Sequence, residues 1–277
     1  MSKLHFSGAR LRDQTIDLQN QTFANSLWEE RQIVDDFEVS LTTTLFVQPV
    51  QVRHDRLTLV LDHRLGPLLV RRSSQTLMRE LMMKNSRTHQ LMNVAHHFLG
   101  QHQYVPYVKG QYGFVPTAGA STSVAGWLGF YRLRQFRRIG ADALLIFDNN
   151  MKLILPLSYH FVRQRLIAAA SVAQLQKEEL ELLVENSGFD KQRPVFNNKL
   201  AKVLGLRPVQ VLRDETEFYV HIVEVLMAAG IEDFLEDGYG NLLNLDRETL
   251  AREVRHYLKG RGRYILPKKR HFALFDE

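Results

Sequence analysis

Cysteine is absent from the 277 residues of this chain. Its absence excludes disulfide bridges, zinc sites built from thiolates and cysteine nucleophiles, and it agrees with a reducing compartment such as the cytoplasm. No apolar run approaches the ~18 residues that a membrane-spanning helix needs, and the first residues lack the apolar core of a signal peptide. We therefore expect a cytoplasmic protein that contacts no membrane.

Sequence patterns for catalysis and for metal binding are missing as well. His96 and His97 are adjacent, so on a helix their side chains point about 100° apart and cannot share one ion. The chain has no Gly-x-Ser-x-Gly nucleophile turn, no P-loop, no dinucleotide fingerprint and no EF-hand spacing. The sequence therefore predicts no metal, no cofactor and no enzyme activity.

The composition describes a folded, basic protein. Hydrophobic residues make up 45% of the chain, which is enough for a sizeable core. The 36 basic and 30 acidic residues leave a formal charge of +6. This excess favours an anionic partner such as nucleic acid.

Hydrophobic periodicity predicts an α+β fold: a mainly antiparallel β-meander body with a central helix and a C-terminal helical section. The central helix follows the capping residues Ser73 and Ser74 and ends at Gly100, with a break near residues 85–86. A second helix follows a Ser158 cap and reaches about Glu185. The pattern also predicts strands within residues 37–70 and at 104–108, 112–115, 127–138, 142–147 and 151–155, and short helices at 197–205, 214–229 and 246–259.

Changes in amino-acid composition and hydrophobic pattern along the chain divide it into four predicted segments. Residues 1–36 are irregular and are expected to form a weakly packed N-terminal extension, followed by the β-rich body at 37–171. Residues 172–262 form the helical section, and 263–277 form a basic C-terminal tail. Residues 198–206 resemble the first helix and turn of a helix-turn-helix, but the extended residues after Arg207 argue against a recognition helix there.

Basic residues concentrate on one predicted strand and on the helix after it. Four arginines lie on or just past the strand, next to aromatic residues, and three further cations are close in sequence; in order they are Arg132, Arg134, Arg137, Arg138, Lys152, Arg163 and Arg165. A strand that carries arginines can follow a phosphate backbone or reach into a minor groove. The alternative interpretation, that exposed strand positions simply carry charge, has equal weight at this point.

Three short sequences in the same region resemble the ComK family of competence transcription factors. They are Phe114-Val115-Pro116-Thr117, Gly126-Trp127-Leu128 and Leu155-Pro156-Leu157-Ser158-Tyr159, with Phe147-Asp148-Asn149-Asn150 between the second and the third. The C-terminal residues 266–275 resemble the end of the family, Val-Pro-Lys-Arg followed by an aromatic-Met-Leu-aromatic sequence. The resemblance covers about 50 residues strongly and the last ten moderately.

The resemblance implies an oligomeric activator that binds A·T-rich boxes of double-stranded DNA through the minor groove and switches on DNA-uptake genes. It also implies that Phe272, Leu274 and Phe275 form a docking peptide for the adaptor of a Clp protease. Within this interpretation the seven cations are the candidate DNA contacts, whereas Trp127 and Pro116 serve folding. The alternative is a non-enzymatic interaction or regulatory module that keeps the fold without specific DNA binding, which the long helical section and a Met-rich helix favour.

Overall fold

The computed structural model describes residues 11–18, 22–84, 92, 95–96, 98–101, 104–118, 125–186, 197–208, 212 and 275–276. These residues form helices and two large, mainly antiparallel sheets, so the predicted α+β class is confirmed. No helix within these ranges is long and apolar enough to cross a membrane.

The larger sheet has seven strands in the order β2-β5-β4-β3-β8-β7-β6. Its members are β2 (Ile33–Val34), β3 (Thr44–Val52), β4 (Asp55–Asp62), β5 (Gly66–Val70), β6 (Tyr107–Lys109), β7 (Tyr112–Pro116) and β8 (Trp127–Gly129). Six consecutive residues of β4 and all five of β5 are buried. Continuous burial of this kind means that both faces of the sheet are covered, which explains the unbroken apolar runs.

The smaller sheet has four strands in the order β1-β11-β10-β9. Its members are β1 (Thr15–Asp17), β9 (Leu133–Ile139), β10 (Asp142–Phe147) and β11 (Lys152–Ser158). Along β10 buried and half-buried residues alternate strictly. Because neighbouring side chains of a strand point to opposite faces, one face of this sheet is in the core and the other is directed to solvent.

The helix α3 (Tyr159–Asn186) connects the two sheets, since it packs against β6 and β7 of the larger sheet and against β9, β10 and β11 of the smaller one. It begins as predicted, because the Ser158 hydroxyl accepts a hydrogen bond of 3.2 Å from the Phe161 amide. The expected boundary between residues 171 and 172 lies inside α3. Val172, Ala173 and Leu175 are buried immediately after that boundary.

The described part of segment 1–36 is packed into the body, so the expectation of a weakly packed extension is wrong for these residues. Strand β1 pairs in parallel with β11, and β2 pairs in parallel with β5. The helix α1 (Thr22–Glu29) packs against β3 and β5, and Leu11, Ile16 and Leu27 are almost completely buried. The irregular spacing of these apolar residues reflects three short elements in succession.

Two predicted strands differ from the observed ones. Residues 37–43 contain no strand, although Phe37 and Val39 are buried, and the first long strand begins only at Thr44. The predicted strand at 127–138 is two strands that belong to different sheets, β8 and β9. The chain turns between them, where the Leu133 amide donates to the Phe130 carbonyl. Apolar residues continue through this turn at Phe130, Tyr131 and Leu133, so the sequence pattern does not reveal it.

The central helix is described in two parts. The helix α2 (Ser74–Lys84) starts after Ser73, whose hydroxyl accepts from the Thr76 amide, and residues 92, 95, 96 and 98 are helical. The second part ends as predicted at Gly100, which has a φ of 68° while the Gln101 amide bonds to the His96 carbonyl. This pattern is the Schellman ending, which favours glycine.

Short elements of the predicted helical section follow α3. The helix α4 (Lys199–Val203) is capped by Asn198, and β12 (Arg207–Pro208) pairs with β13 (Phe275–Asp276). Arg207 and Pro208 are extended, as the sequence predicted, and no recognition helix starts within 204–208. The predicted helices at 214–229 and 246–259 lie outside the described residues.

Candidate nucleic-acid interface

Three of the predicted DNA contacts lie together on β9, which is an edge strand of the smaller sheet. Arg134, Arg137 and Arg138 are all exposed. Within the described ranges, no carboxylate forms an ion pair with any of them. Arg138 donates from Nε to the Gly140 carbonyl at 2.7 Å, which leaves its terminal nitrogens for another partner. We call these three residues the basic edge.

The register of the sheet shows which faces these arginines occupy. Arg137 pairs with Leu144, so its side chain lies on the solvent-directed face, whereas Arg138 pairs with the buried Ala143 and lies on the other face. Arg134 is located where the β9–β10 register shifts, between the pairs Ile146–Gln135 and Phe147–Leu133. Such a bulge redirects a side chain of an edge strand. The arginines therefore surround the strand instead of lying on one face.

The solvent-directed face of the smaller sheet is partly apolar. Leu144, Ile146 and Ile154 are half-buried and form its centre. Lys152 is exposed and lies in register with Ile146 and Gln135, because Ile146 pairs with Lys152 on one side and with Gln135 on the other. The face thus combines aliphatic side chains with cations, and it also carries two carboxylates, Asp142 on β10 opposite Ile139 and Asp17 of β1 at the far side from β9.

Arg132, in contrast, is part of the contact between the two sheets. Its Nε donates to the Thr42 carbonyl at 2.7 Å, and a terminal nitrogen donates to an Asp148 carboxylate oxygen at 2.8 Å. The other Asp148 oxygen lies 3.7 Å from Nδ1 of His63. Only 24% of the Arg132 side chain is exposed. These contacts occupy Nε and one of the two terminal nitrogens, and the Asp148 carboxylate neutralises the charge that Arg132 would offer to a phosphate.

Arg165 also has a structural environment. Its guanidinium lies 3.2 Å from the ring centroid of Tyr104 and 4.4 Å from that of Phe161, so it makes cation–π contacts with two aromatic rings that are nearly perpendicular to each other. Burial of the group lowers the pKa of Arg165, and its Nε is buried without a hydrogen-bond partner in the described part of the chain. Arg163, two residues earlier on α3, is half-buried and already has an interaction partner. The α3 arginines are therefore separate from the basic edge.

The structure adds two lysines that the sequence pattern did not reveal. The helix α4 packs against α3 and β9, and it brings Lys199 and Lys202 next to the start of β9. The Lys199 ammonium donates to the Tyr131 carbonyl at 3.2 Å and lies 5.5 Å from the Tyr131 ring centroid. Lys202 is exposed one turn further along the same side of α4. Lys199 and Tyr131 are 68 positions apart in sequence, so local patterns carry no signal for this proximity.

Two tyrosines pack beside Lys199 at the start of β9. The rings of Tyr112 and Tyr131 are 4.3 Å apart with an interplanar angle of 40°. A hydrogen bond with Tyr112 raises the pKa of the Tyr131 phenol. Both tyrosines are half-buried, so they add apolar ring surface and hydroxyl groups beside the basic edge.

The residues that carry the family resemblance lie mainly in the larger sheet. Trp127 is buried and pairs with Pro116 on one side and Val47 on the other. Gly126 and Gly129 lie at close contacts, since a Cβ at Gly129 would meet the Thr44 carbonyl at 2.5 Å. These residues shape the core, as predicted for Trp127 and Pro116, and they do not contribute to the basic edge.

The predicted adaptor peptide is described only in part. Phe275 lies in β13, where its backbone pairs with Pro208, and Phe272 and Leu274 lie outside the described residues. The role of this peptide stays a prediction.

A cavity of about 290 Å³ lies between the sheets. Its lining is largely apolar, with Gln48, Gln51 and Thr117 as the polar side chains and no ionisable group among the described residues. It therefore offers neither an acid nor a base. Across the described ranges, no three His, Asp or Glu side chains are grouped so that they could hold a metal ion.

No protein-family model matches this chain, and neither a search of curated proteins nor a search of solved structures finds a match. The resemblance to the ComK family thus rests on the motifs in the sequence, and the functional interpretation rests on the residues described above.

Proposed function

We propose that the protein is a DNA-binding transcription activator that acts in the cytoplasm and contacts double-stranded DNA through the basic edge. The observation that carries this proposal is the set of three exposed arginines on one edge strand, without carboxylate partners in the described part of the chain. Arginines that make no internal ion pair retain their full charge for phosphate oxygens, and neutralised phosphates release bound counterions.

The shape of this region suits a duplex. An edge strand that projects arginines on both sides can lie along a groove and reach phosphates of both strands. The narrow minor groove of A·T-rich DNA has an enhanced negative potential that attracts arginine. This preference for A·T-rich boxes, the control of DNA-uptake genes and binding as an oligomer come from the family resemblance and are part of the proposal.

The positions of Arg132 and Arg165 refine the proposal. Arg132 holds the two sheets together, and Arg165 attaches α3 to the segment around Tyr104. We therefore assign both of them to stability, and we add Lys199 and Lys202 to the cations that contribute to the local positive field. Lys152 remains a candidate contact because it is exposed on the solvent-directed face.

Fluorescence anisotropy with a duplex that contains A·T-rich boxes tests the proposal. Replacing both Arg134 and Arg137 by Gln should weaken binding by about tenfold or more and lower the salt dependence, log Kd against log salt, by about 2 units. The matched control is the double change Arg53→Gln and Arg56→Gln. These arginines are exposed on the β3–β4 hairpin of the larger sheet, so the net charge changes equally.

The comparison of the two double variants decides between three outcomes. A loss confined to the β9 variant supports the proposal. An equal loss in both variants would show a nonspecific effect of net charge, and equal weak binding to A·T-rich and G·C-rich duplexes would remove the sequence preference. If the wild-type protein shows no salt-dependent DNA binding and instead retains a stable protein partner, the interaction-module alternative replaces the proposal.

A further inference from the structure

The hairpin that joins β9 to β10 ends in a two-residue loop. Ile139 pairs directly with Asp142, so only Gly140 and Ala141 make the turn. Gly140 has a φ of 59°, and glycine is favoured at the first central position of such a loop when φ is positive. Apart from its two chain neighbours, none of the described residues comes within 4 Å of the position that a Gly140 Cβ would occupy, so there is open space at the end of the hairpin.

A large apolar side chain is located at this open end. Ile139 is 43% exposed, which makes it one of few large hydrophobic residues at the surface of the described chain. Single exposed hydrophobic residues are common and need no explanation by themselves. Here, however, the two preceding residues are Arg137 and Arg138, both exposed and without carboxylate partners among the described residues. A ligand that matches both features has anionic groups on its surface for the two arginines and an apolar region between them for the Ile139 side chain.

Stacked base pairs between two phosphate backbones have this character. Proteins that bend DNA insert Ile, Leu, Phe, Met or Pro side chains between base steps and place cations on the flanking phosphates. A folded acidic protein would offer carboxylates but no apolar slot between two rows of anions. The combination at residues 137–139 therefore favours duplex DNA as the occupant.

The turn is held rigidly, which a wedge requires. Arg138 Nε donates to the Gly140 carbonyl at 2.7 Å, and the Tyr159 amide donates to the Ala141 carbonyl at 3.0 Å. Three residues before Ile139 on the same strand, the Phe136 ring stacks on the Tyr159 ring, with the ring centroids 4.7 Å apart and an interplanar angle of 11°. The hairpin end is thereby fixed to the first residue of α3. Insertion of Ile139 into DNA would therefore not carry the entropic cost of ordering a flexible loop.

We propose that Ile139 is an intercalating wedge that enters a base step of the bound duplex and kinks it, while Arg137 and Arg138 contact the phosphates on either side. This inference rests on the proposed DNA binding and names how the same surface deforms its ligand. Flexible pyrimidine–purine steps such as TA, which are abundant in A·T-rich DNA, are the steps that open at least cost.

The test uses the full chain and a duplex of about 30 base pairs that contains A·T-rich boxes and carries a donor and an acceptor dye at its ends. A second duplex has 2-aminopurine at successive TA steps, because its fluorescence rises when a base loses its stacking. The variants are Ile139→Ala and the conservative Ile139→Leu. The matched control is Leu65→Ala, since Leu65 is 42% exposed and lies in the β4–β5 turn of the other sheet.

Wild type, Ile139→Leu and Leu65→Ala should raise energy transfer and 2-aminopurine fluorescence to similar extents. Ile139→Ala should lose most of both signals and bind about tenfold more weakly, because a buried isoleucine side chain contributes on this order. Its salt dependence should equal that of the wild type, since no charge is removed. Equal melting temperatures of the four proteins would confirm that the fold is intact, and Ile139→Leu keeps the proposal testable if Ile139→Ala is unstable.

A kinked duplex with Ile139→Ala would overturn the wedge, as would salt-dependent binding by the wild type without any kink or unstacking. In both cases the Arg134 and Arg137 experiment would still show its loss of affinity, so the proposed function would stand. Absence of salt-dependent binding by the wild type would instead overturn the proposed function and the wedge together.

Discussion

The two sheets differ in how their strands are buried, and this difference separates a sheet that is covered on both faces from one that keeps a face open to solvent. In the larger sheet β4 and β5 are buried almost continuously, whereas β10 of the smaller sheet alternates between buried and half-buried residues. A sheet with both faces covered has no surface for a partner. The smaller sheet keeps one face and one edge in contact with solvent, and this edge carries three exposed arginines without carboxylate partners in the described part of the chain.

The edges of the two sheets also differ in whether their arginines form ion pairs. At the β2–β5 edge of the larger sheet, Arg71 pairs with Asp35, and Arg72 pairs with both Asp36 and Glu80. On β9 the arginines have no carboxylate partner within the described ranges. Paired cations are neutralised locally and contribute little to a long-range field, whereas unpaired ones attract anionic ligands.

The largest expected effect is on the free energy of unfolding, and it compares a buried residue of the larger sheet with a half-buried residue of the smaller one. Phe114→Ala in the larger sheet removes a fully buried ring and should lower the free energy of unfolding by about 3–5 kcal/mol. Ile146→Ala on the solvent-directed face should cost less than about 1.5 kcal/mol, because this side chain is only half-buried. Urea unfolding followed by circular dichroism measures both. Equal losses would mean that the solvent-directed face is covered in solution.

A middle-sized effect separates the two kinds of arginine. Arg132→Gln leaves the Thr42 carbonyl and Asp148 without their donor and should destabilise the fold by roughly 1 kcal/mol, reduced from a fully buried case by its partial exposure. Arg137→Gln should change stability by less than about 0.5 kcal/mol.

The same two variants should behave in the opposite way toward DNA. Arg137→Gln should lower the salt dependence of binding by about 1 unit, and Arg132→Gln should leave it unchanged. Thermal unfolding and anisotropy on the same samples give both readouts. If an Arg132 variant keeps its stability but loses DNA affinity, Arg132 contacts DNA and its assignment to stability is wrong.

The smallest expected effect concerns pH. A hydrogen bond from Arg72 lowers the pKa of the Asp36 carboxyl below its ordinary value of 3.8. Because the folded pKa is the lower one, this carboxylate stabilises the fold above pH 3.8 and the contribution is lost as pH falls through the folded pKa. The stability difference between wild type and Asp36→Asn should therefore shrink on acidification and stay constant at higher pH. A difference that grows toward acid would contradict the assignment.

Local sequence signals predicted the features that local chemistry decides. The Ser158 cap and the glycine ending at Gly100 both depend on neighbouring residues, and Gly100 indeed has a φ of 68°. The break between β8 and β9 was not predictable, because it depends on packing from a distance. A Cβ at Gly113 would lie 2.7 Å from the ring of Phe130, so this ring occupies the space that the missing side chain leaves.

The candidate site shows the same limit. The sequence identified Arg134, Arg137 and Arg138 because they are close together on one exposed strand. It could not separate Arg132 from them, since the Thr42 carbonyl that holds Arg132 is 90 residues away. Similarly, Lys199 reaches Tyr131 only because Asn198 bonds to the Ala170 carbonyl and fixes α4 on α3. The charged residues can be read from the sequence. Whether a charged side chain is free to contact a ligand depends on contacts between segments that are distant in sequence.

The parallel pairing of β1 with β11 has a consequence for synthesis. Residues 15–17 leave the ribosome early, yet their partners at 152–154 follow more than 130 residues later. The edge of the smaller sheet opposite β9 therefore stays open while the strands of the larger sheet are already complete. Because such distant pairing is slow, the nascent chain completes the larger sheet first and the smaller sheet last.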